Sequence, residues 1–207
     1  MFEKNIMTEL LNFEDKQCID ILLSENVLAF PTETVFGFGV VFDSEKAFET
    51  MCLLKGRRPD QPFTIMVNKK DDISLFVDLN DKMKRLIDKF MPGEITILFP
   101  RKEGLYPWLT LGSKYVGIRI PYQEHVLSLI GRVNKPLLVT SANMSGSAPL
   151  LNHEDVLNTF NNKILGIVKG KANSTVPSTI VMIDNDEIKL IRKGNIKFED
   201  IKEAWEK

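Results

Sequence analysis

Short apolar runs alternate along this chain with stretches of helical period, and that interleaving restricts the fold more than any other feature of the sequence. Strands alternating with helices, rather than grouped apart from them, lead to a single α/β domain built on a twisted mixed sheet. The strand-like runs are Val27–Phe30, Phe63–Val67, Ile95–Phe99, Val116–Ile120, Leu137–Thr140, Ile164–Val168, Thr179–Ile183 and Ile188–Ile191. Residues 14–25 read as a helix with Cys18, Ile21, Leu22 and Glu25 on one face and Asn26 as its stop. Asp43 or Ser44 caps a second helix, with Ala47, Phe48, Met51 and Leu54 as its apolar stripe and Gly56 closing it. A third spans about Asp81–Met91 and ends at Pro92-Gly93. The long polar connections near 101–115 and 142–153 are candidates for active-site loops.

The chain has 207 residues, 43% of them hydrophobic, enough for one large core spanning residues 1–207. A formal net charge of −1 excludes a global positive field that would draw the protein to nucleic acid. Affinity for RNA or other anions must come from a local cluster of cations. Cys18 and Cys52 fall in helix-like apolar segments without metal-ligand spacing, and His125 and His153 lie far apart. We therefore expect no structural zinc, no catalytic metal and no disulfide framework, as suits a reducing compartment. With no signal peptide and no run near the ~18 apolar residues of a membrane span, the expected location is cytoplasmic, with no membrane association.

Five segments carry candidate chemistry. In Phe30-Pro31-Thr32-Glu33-Thr34-Val35-Phe36-Gly37-Phe38-Gly39 an apolar strand breaks at a proline into hydroxyl residues, and two glycines then permit close backbone approach. A threonine-capped turn accounts for the same residues. Lys55-Gly56-Arg57-Arg58 sets three cations just beyond a helix end, where the helix dipole alone favours them, yet the group also suits a polyphosphate. It is not a Walker loop. In Val116-Gly117-Ile118-Arg119-Ile120 strand alternation puts Arg119 beside Gly117, opposite the apolar side chains, as in a cavity wall that holds a carboxylate.

Val139-Thr140-Ser141-Ala142-Asn143-Met144-Ser145-Gly146 is a small-residue turn at the end of a strand, where open α/β sheets hold ligands. A plain loop competes with that reading. Ser141 lacks the surroundings of a hydrolase nucleophile elbow. Finally, Ser178 follows Pro177, and Arg192 ends an apolar strand on the side of Ile188 and Leu190, either meeting a partner or reaching for water.

In order and spacing, PTETVFGFG, KGRRPDQPF, PGEITILF, VGIRIP, SANMSG, PSTIV and IRKG resemble the threonylcarbamoyl-AMP synthase family, the short YrdC-like or TsaC type, over about Val27–Gly194. The resemblance implies one α/β domain around a large, positively lined concave cavity. It implies an enzyme that condenses L-threonine, CO2 or bicarbonate, and ATP to threonylcarbamoyl-AMP and pyrophosphate, with magnesium carried by the nucleotide. Downstream transfer proteins would place the group on tRNAs that read ANN codons, and weak binding of tRNA or double-stranded RNA is compatible with the cavity.

Lys55 and Arg57 match the family's Lys-x-Arg signature and would be catalytic; Ser141 and Asn143 match its Ser-x-Asn signature. These four, with Gln61, Tyr115 and Arg192, would hold ATP. Thr32, Thr34, Arg119, the Val139 backbone and Ser178 would surround L-threonine. Phe36 stands in place of a frequent tyrosine and Met66 in place of a frequent histidine. The competing functions are a non-catalytic RNA-binding module, a carbamoyl-transfer domain of hydrogenase maturation, which occurs in long zinc-finger chains, and a plain ATPase.

Overall fold

The structure, a computed structural model, describes residues 7–56 and 62–207. It begins with β1 (Glu9–Leu11), α1 (Lys16–Leu23), β2 (Leu28–Phe30), β3 (Gly37–Val41), α2 (Glu45–Leu54) and β4 (Thr64–Met66). A 3₁₀ turn at Lys70–Leu75 leads to α3 (Asp81–Phe90), β5 (Ile95–Pro100), α4 (Pro107–Thr110), β6 (Tyr115–Arg119) and α5 (Glu124–Val133). The chain closes with β7 (Leu137–Ser141), α6 (His153–Phe160), β8 (Gly166–Val168), β9 (Thr179–Asp184), β10 (Glu187–Arg192) and α7 (Phe198–Glu206). The strands form one ten-stranded sheet in the order β1-β8-β2-β3-β7-β4-β6-β5-β9-β10. Parallel and antiparallel pairs mix within it, as expected for this α/β fold.

Local chemistry sets the helix limits. Ser44 rather than Asp43 caps α2, its Oγ accepting from the Ala47 N–H at 3.1 Å, and Gly56 follows in the left-handed region at φ 78°. Asn80 caps α3 through Met83 N–H, and Met91 turns extended because it precedes Pro92. At α1 the left-handed residue is Glu25, at φ 60°, one position before the expected Asn26. A strand at β3 departs from the turn-like reading of residues 31–39: its two glycines mask an otherwise apolar stretch.

The two faces of the sheet differ. Phe38, Val40, Ile65, Ile97, Ile118, Leu138 and Val181 point into the larger core, with α2, α3, α6 and α7. On the opposite face α1 and α5 bury Cys18, Leu22, Val126, Leu129 and Ile130 against Leu28, Phe30, Leu137 and Val139. That second cover stops short of the middle of the sheet, which leaves a hollow there.

Gly39 serves packing in this second layer. A Cβ at Gly39 would meet Phe30 Cε1 at 2.5 Å, and the Phe30 ring is completely buried. Gly39→Ala is therefore expected to destabilise the fold by about 1–3 kcal/mol through overpacking. The check is a lower urea midpoint at an unchanged slope.

Candidate functional site

Strand register brings polar side chains to one face. Gly37 pairs with Ser141, Thr64 with Val139, Met66 with Arg119, Thr96 with Ile180, and Ile180 with Arg192. Paired residues share a face, so these nine form the floor of the hollow, and all nine line a cavity of about 400 Å³. Ile65, Ile97, Ile118 and Val181, between them, face the core, which is the alternation expected of Val116–Ile120.

Connections at the strand ends build the walls. Pro31 ends β2, and Thr32 and Thr34 fold over the floor in a hydrogen-bonded turn. Thr32 Oγ1 accepts from the Thr34 N–H at 3.1 Å and donates to the Val35 carbonyl at 2.7 Å. Lys55 enters from the C-terminal end of α2, only 8% exposed. Its Nζ donates to the Ser141 carbonyl and to Asn143 Oδ1, both at 2.8 Å. Ser141 Oγ donates to the same Asn143 oxygen at 2.6 Å, and Asn143 Nδ2 donates to the Met144 and Ser147 carbonyls. The turn after β7 is thereby held as a rigid rim.

Arg119 crosses the centre of the floor. Its Nη1 donates to Thr34 Oγ1 at 3.2 Å and its Nη2 to Glu33 Oε1 at 2.6 Å. Beyond it, Thr96 Oγ1 and Ser178 Oγ lie 3.0 Å apart. Arg192 grips Ser178 twice, from Nε to the carbonyl and from Nη2 to Oγ, each at 3.0 Å.

The placement of Arg192 corrects simple alternation. The register slips by one residue between Leu190, opposite Val181, and Arg192, opposite Ile180. This bulge at Ile191 turns Arg192 away from the side of Ile188 and Leu190 and into the cavity, a known use of bulges beside sites. Partial burial first, and then the neighbouring Arg119 charge, pull the Arg192 pKa below the ordinary arginine value.

Of the residues singled out in the sequence, the cavity gathers Thr32, Thr34, Lys55, Arg119, Val139, Ser141, Asn143, Ser178 and Arg192. Tyr115 stands apart: its hydroxyl donates to Asp184 Oδ1 at 2.6 Å and it is not part of the lining. Arg57 and Gln61 lie outside the described residues. The loop after β7 lines the cavity through Ser145, Gly146 and Pro149, whereas the 101–115 connection does not reach it. Thr96, Ile180 and Glu33 belong to the site and were missed. Thr96 sat inside an apparently apolar strand, where alternation against Ile95 and Ile97 would have marked it.

The arrangement suits binding and charge neutralisation. Lys55, Arg119 and Arg192 line the cavity, and no carboxylate does so among the described residues. Neither histidine reaches it: His125 stacks on Phe13 and His153 bonds the Gly170 backbone. No group of carboxylates, histidines and cysteines that could hold a metal ion occurs among the described residues. No described helix is long and apolar enough to cross a membrane.

Known proteins share this architecture. The chain is 35% identical over 204 residues to the threonylcarbamoyl-AMP synthase of Bacillus subtilis, covering 94% of this chain and 58% of that one. It is 31% identical to a putative threonylcarbamoyl-AMP synthase of Methanocaldococcus jannaschii, covering 93% of each. P. abyssi Sua5, solved in complex with L-threonine, superposes with a TM-score of 0.87 at 27% identity, over 96% of this chain and 59% of that one. The chain thus spans under two thirds of some relatives and nearly all of others. The family model Sua5/YciO/YrdC, described as telomere recombination, matches residues 20–194. The chain belongs to the Sua5/YciO/YrdC family.

Proposed function

We propose that this protein is an L-threonylcarbamoyladenylate synthase whose single domain, with its core at about 27–194, performs the whole condensation. The observation that carries this reading is one continuous cavity lined by three cations and several hydroxyl groups, with no carboxylate among the described lining residues. Such a space accepts two anions side by side. Lys55, Ser141, Asn143 and Arg192 take the nucleotide, joined by Arg57 and Gln61 from outside the described residues. Thr32, Thr34, Arg119, Val139 and Ser178 take L-threonine, with the carboxylate on Arg119. Tyr115, whose hydroxyl donates to Asp184, is left with its ring and its oxygen lone pairs to meet the nucleotide.

The threonine nitrogen adds to CO2 and loses a proton, giving a carbamate. A carbamate oxygen then attacks the α-phosphorus of ATP, the bond to the bridging oxygen breaks, and pyrophosphate leaves. The protein's share is positioning and charge neutralisation rather than covalent catalysis. A magnesium ion would be carried by the triphosphate, where it would offset phosphate charge; the described lining residues include no carboxylate. The product is destined for tRNA threonylcarbamoylation in the cytoplasm by downstream transfer proteins. In the test, pyrophosphate release by purified protein requires ATP, threonine and bicarbonate together; release that ignores threonine contradicts the reading.

A further inference from the structure

Glu33 sits between the two cavity threonines of the β2–β3 connection, yet it is not part of the lining. Arg119 is, so the carboxylate backs the guanidinium instead of facing a ligand. The two side chains are only 4% and 5% exposed. Glu33 Oε1 accepts from Arg119 Nη2 at 2.6 Å and from the Tyr122 N–H at 2.9 Å. The donors come from the last residue of β6 and from the connection just after it, so one oxygen is clamped at two points by one short segment. Glu33 Oε2 and Arg119 Nε are buried without hydrogen-bond partners. The second carboxylate oxygen therefore keeps its charge undispersed beside the cavity floor.

A lone guanidinium binds carboxylate or phosphate equally well, because its fork fits both. A guanidinium already neutralised keeps the fork but loses most of its net charge, and a doubly charged phosphate is then not repaid for leaving water. Resting on the functional reading above, we infer that Glu33 is a positioning and specificity residue. It fixes the plane of Arg119 and offsets its charge, so that this end of the cavity accepts an amino-acid carboxylate and rejects phosphate. The phosphates go instead to the part of the cavity lined by Lys55 and Arg192.

Two variants separate the components, with adenylate formation measured by chromatography. Glu33→Gln keeps the shape and the acceptor but removes the charge. In the unaltered protein inorganic phosphate is expected not to compete with threonine, and in this variant it is expected to become a competitive inhibitor, its Ki falling at least about tenfold. Glu33→Asp keeps the charge but withdraws the acceptor from Arg119. It is expected to raise the KM for threonine about tenfold while leaving the KM for ATP and the insensitivity to phosphate unchanged. A Gln variant as indifferent to phosphate as the parent overturns the inference. So does an Asp variant with the parent's threonine KM, even where the Gln variant does not fold. A parent protein that forms no adenylate sinks the functional reading as well, whereas an active parent with unaffected variants sinks the role of Glu33 alone.

Discussion

Replacing Lys55 with alanine is expected to slow threonine-dependent pyrophosphate release by about thirtyfold to a thousandfold, or roughly 2–4 kcal/mol of transition-state stabilisation. The ammonium enters the cavity at the rim where the triphosphate is expected, and it is held there by the Ser141 carbonyl and Asn143 Oδ1. Its aim is therefore fixed before substrate arrives, which is what makes an electrostatic donor effective. The fold should survive. The Ser145 N–H still donates to the carbonyl of residue 55, and Ser141 Oγ still donates to Asn143. Steady-state kinetics together with an unchanged circular dichroism spectrum would show this, and an unaltered rate would remove Lys55 from the reaction.

Arg119→Ala should act on stability and on binding at once. Removing one member of a buried ion pair leaves the other charged and unpaired, at a typical cost of about 3–5 kcal/mol. Here the stranded group is Glu33, 4% exposed, which keeps only the Tyr122 N–H on one oxygen. The double variant Glu33→Gln/Arg119→Ala should recover much of that loss, because no buried charge remains. Threonine binding should not recover in it, since the carboxylate anchor is gone. Urea denaturation and threonine titration distinguish the two effects. Equal destabilisation in the single and double variants would mean that the ion pair is not the cause.

Much of the fold was legible because apolar periodicity survives translation into burial. The stripes Ala47/Phe48/Met51/Leu54 and Cys18/Ile21/Leu22 are buried as their spacing implied, and all eight strand-like runs became strands with shifted ends. What escaped were elements whose local chemistry argues against them. In β3, Gly37 and Gly39 suppress strand propensity, although Gly39 is there to admit the Phe30 ring. β1 is three residues long and is defined only by pairing with β8, which is remote in sequence. In α5, Val126, Leu129, Ile130 and Val133 carry a helical period that Gly131, a poor helix former, interrupts.

The site followed the same division. Thr32, Arg119, Ser141 and Ser178 reach one cavity because each sits at or beside a strand end, and Lys55 joins them from the end of α2. Arg192 reached the cavity for a reason that alternation cannot supply, the one-residue bulge at Ile191. Glu33 was overlooked because its importance lies in a partner 86 positions away. Tyr115 was expected at the nucleotide from the resemblance alone; in the structure its hydroxyl is engaged by Asp184, and that bond raises its pKa.

The most direct test of the central claim uses isotopically labelled bicarbonate. Purified protein incubated with ATP, L-threonine and labelled bicarbonate should yield, by mass spectrometry, a threonylcarbamoyl adenylate bearing the labelled carbon together with one pyrophosphate. An adenylate of threonine without the label, or nucleotide hydrolysis indifferent to threonine, would contradict the proposal that this cavity joins a carbamate to AMP.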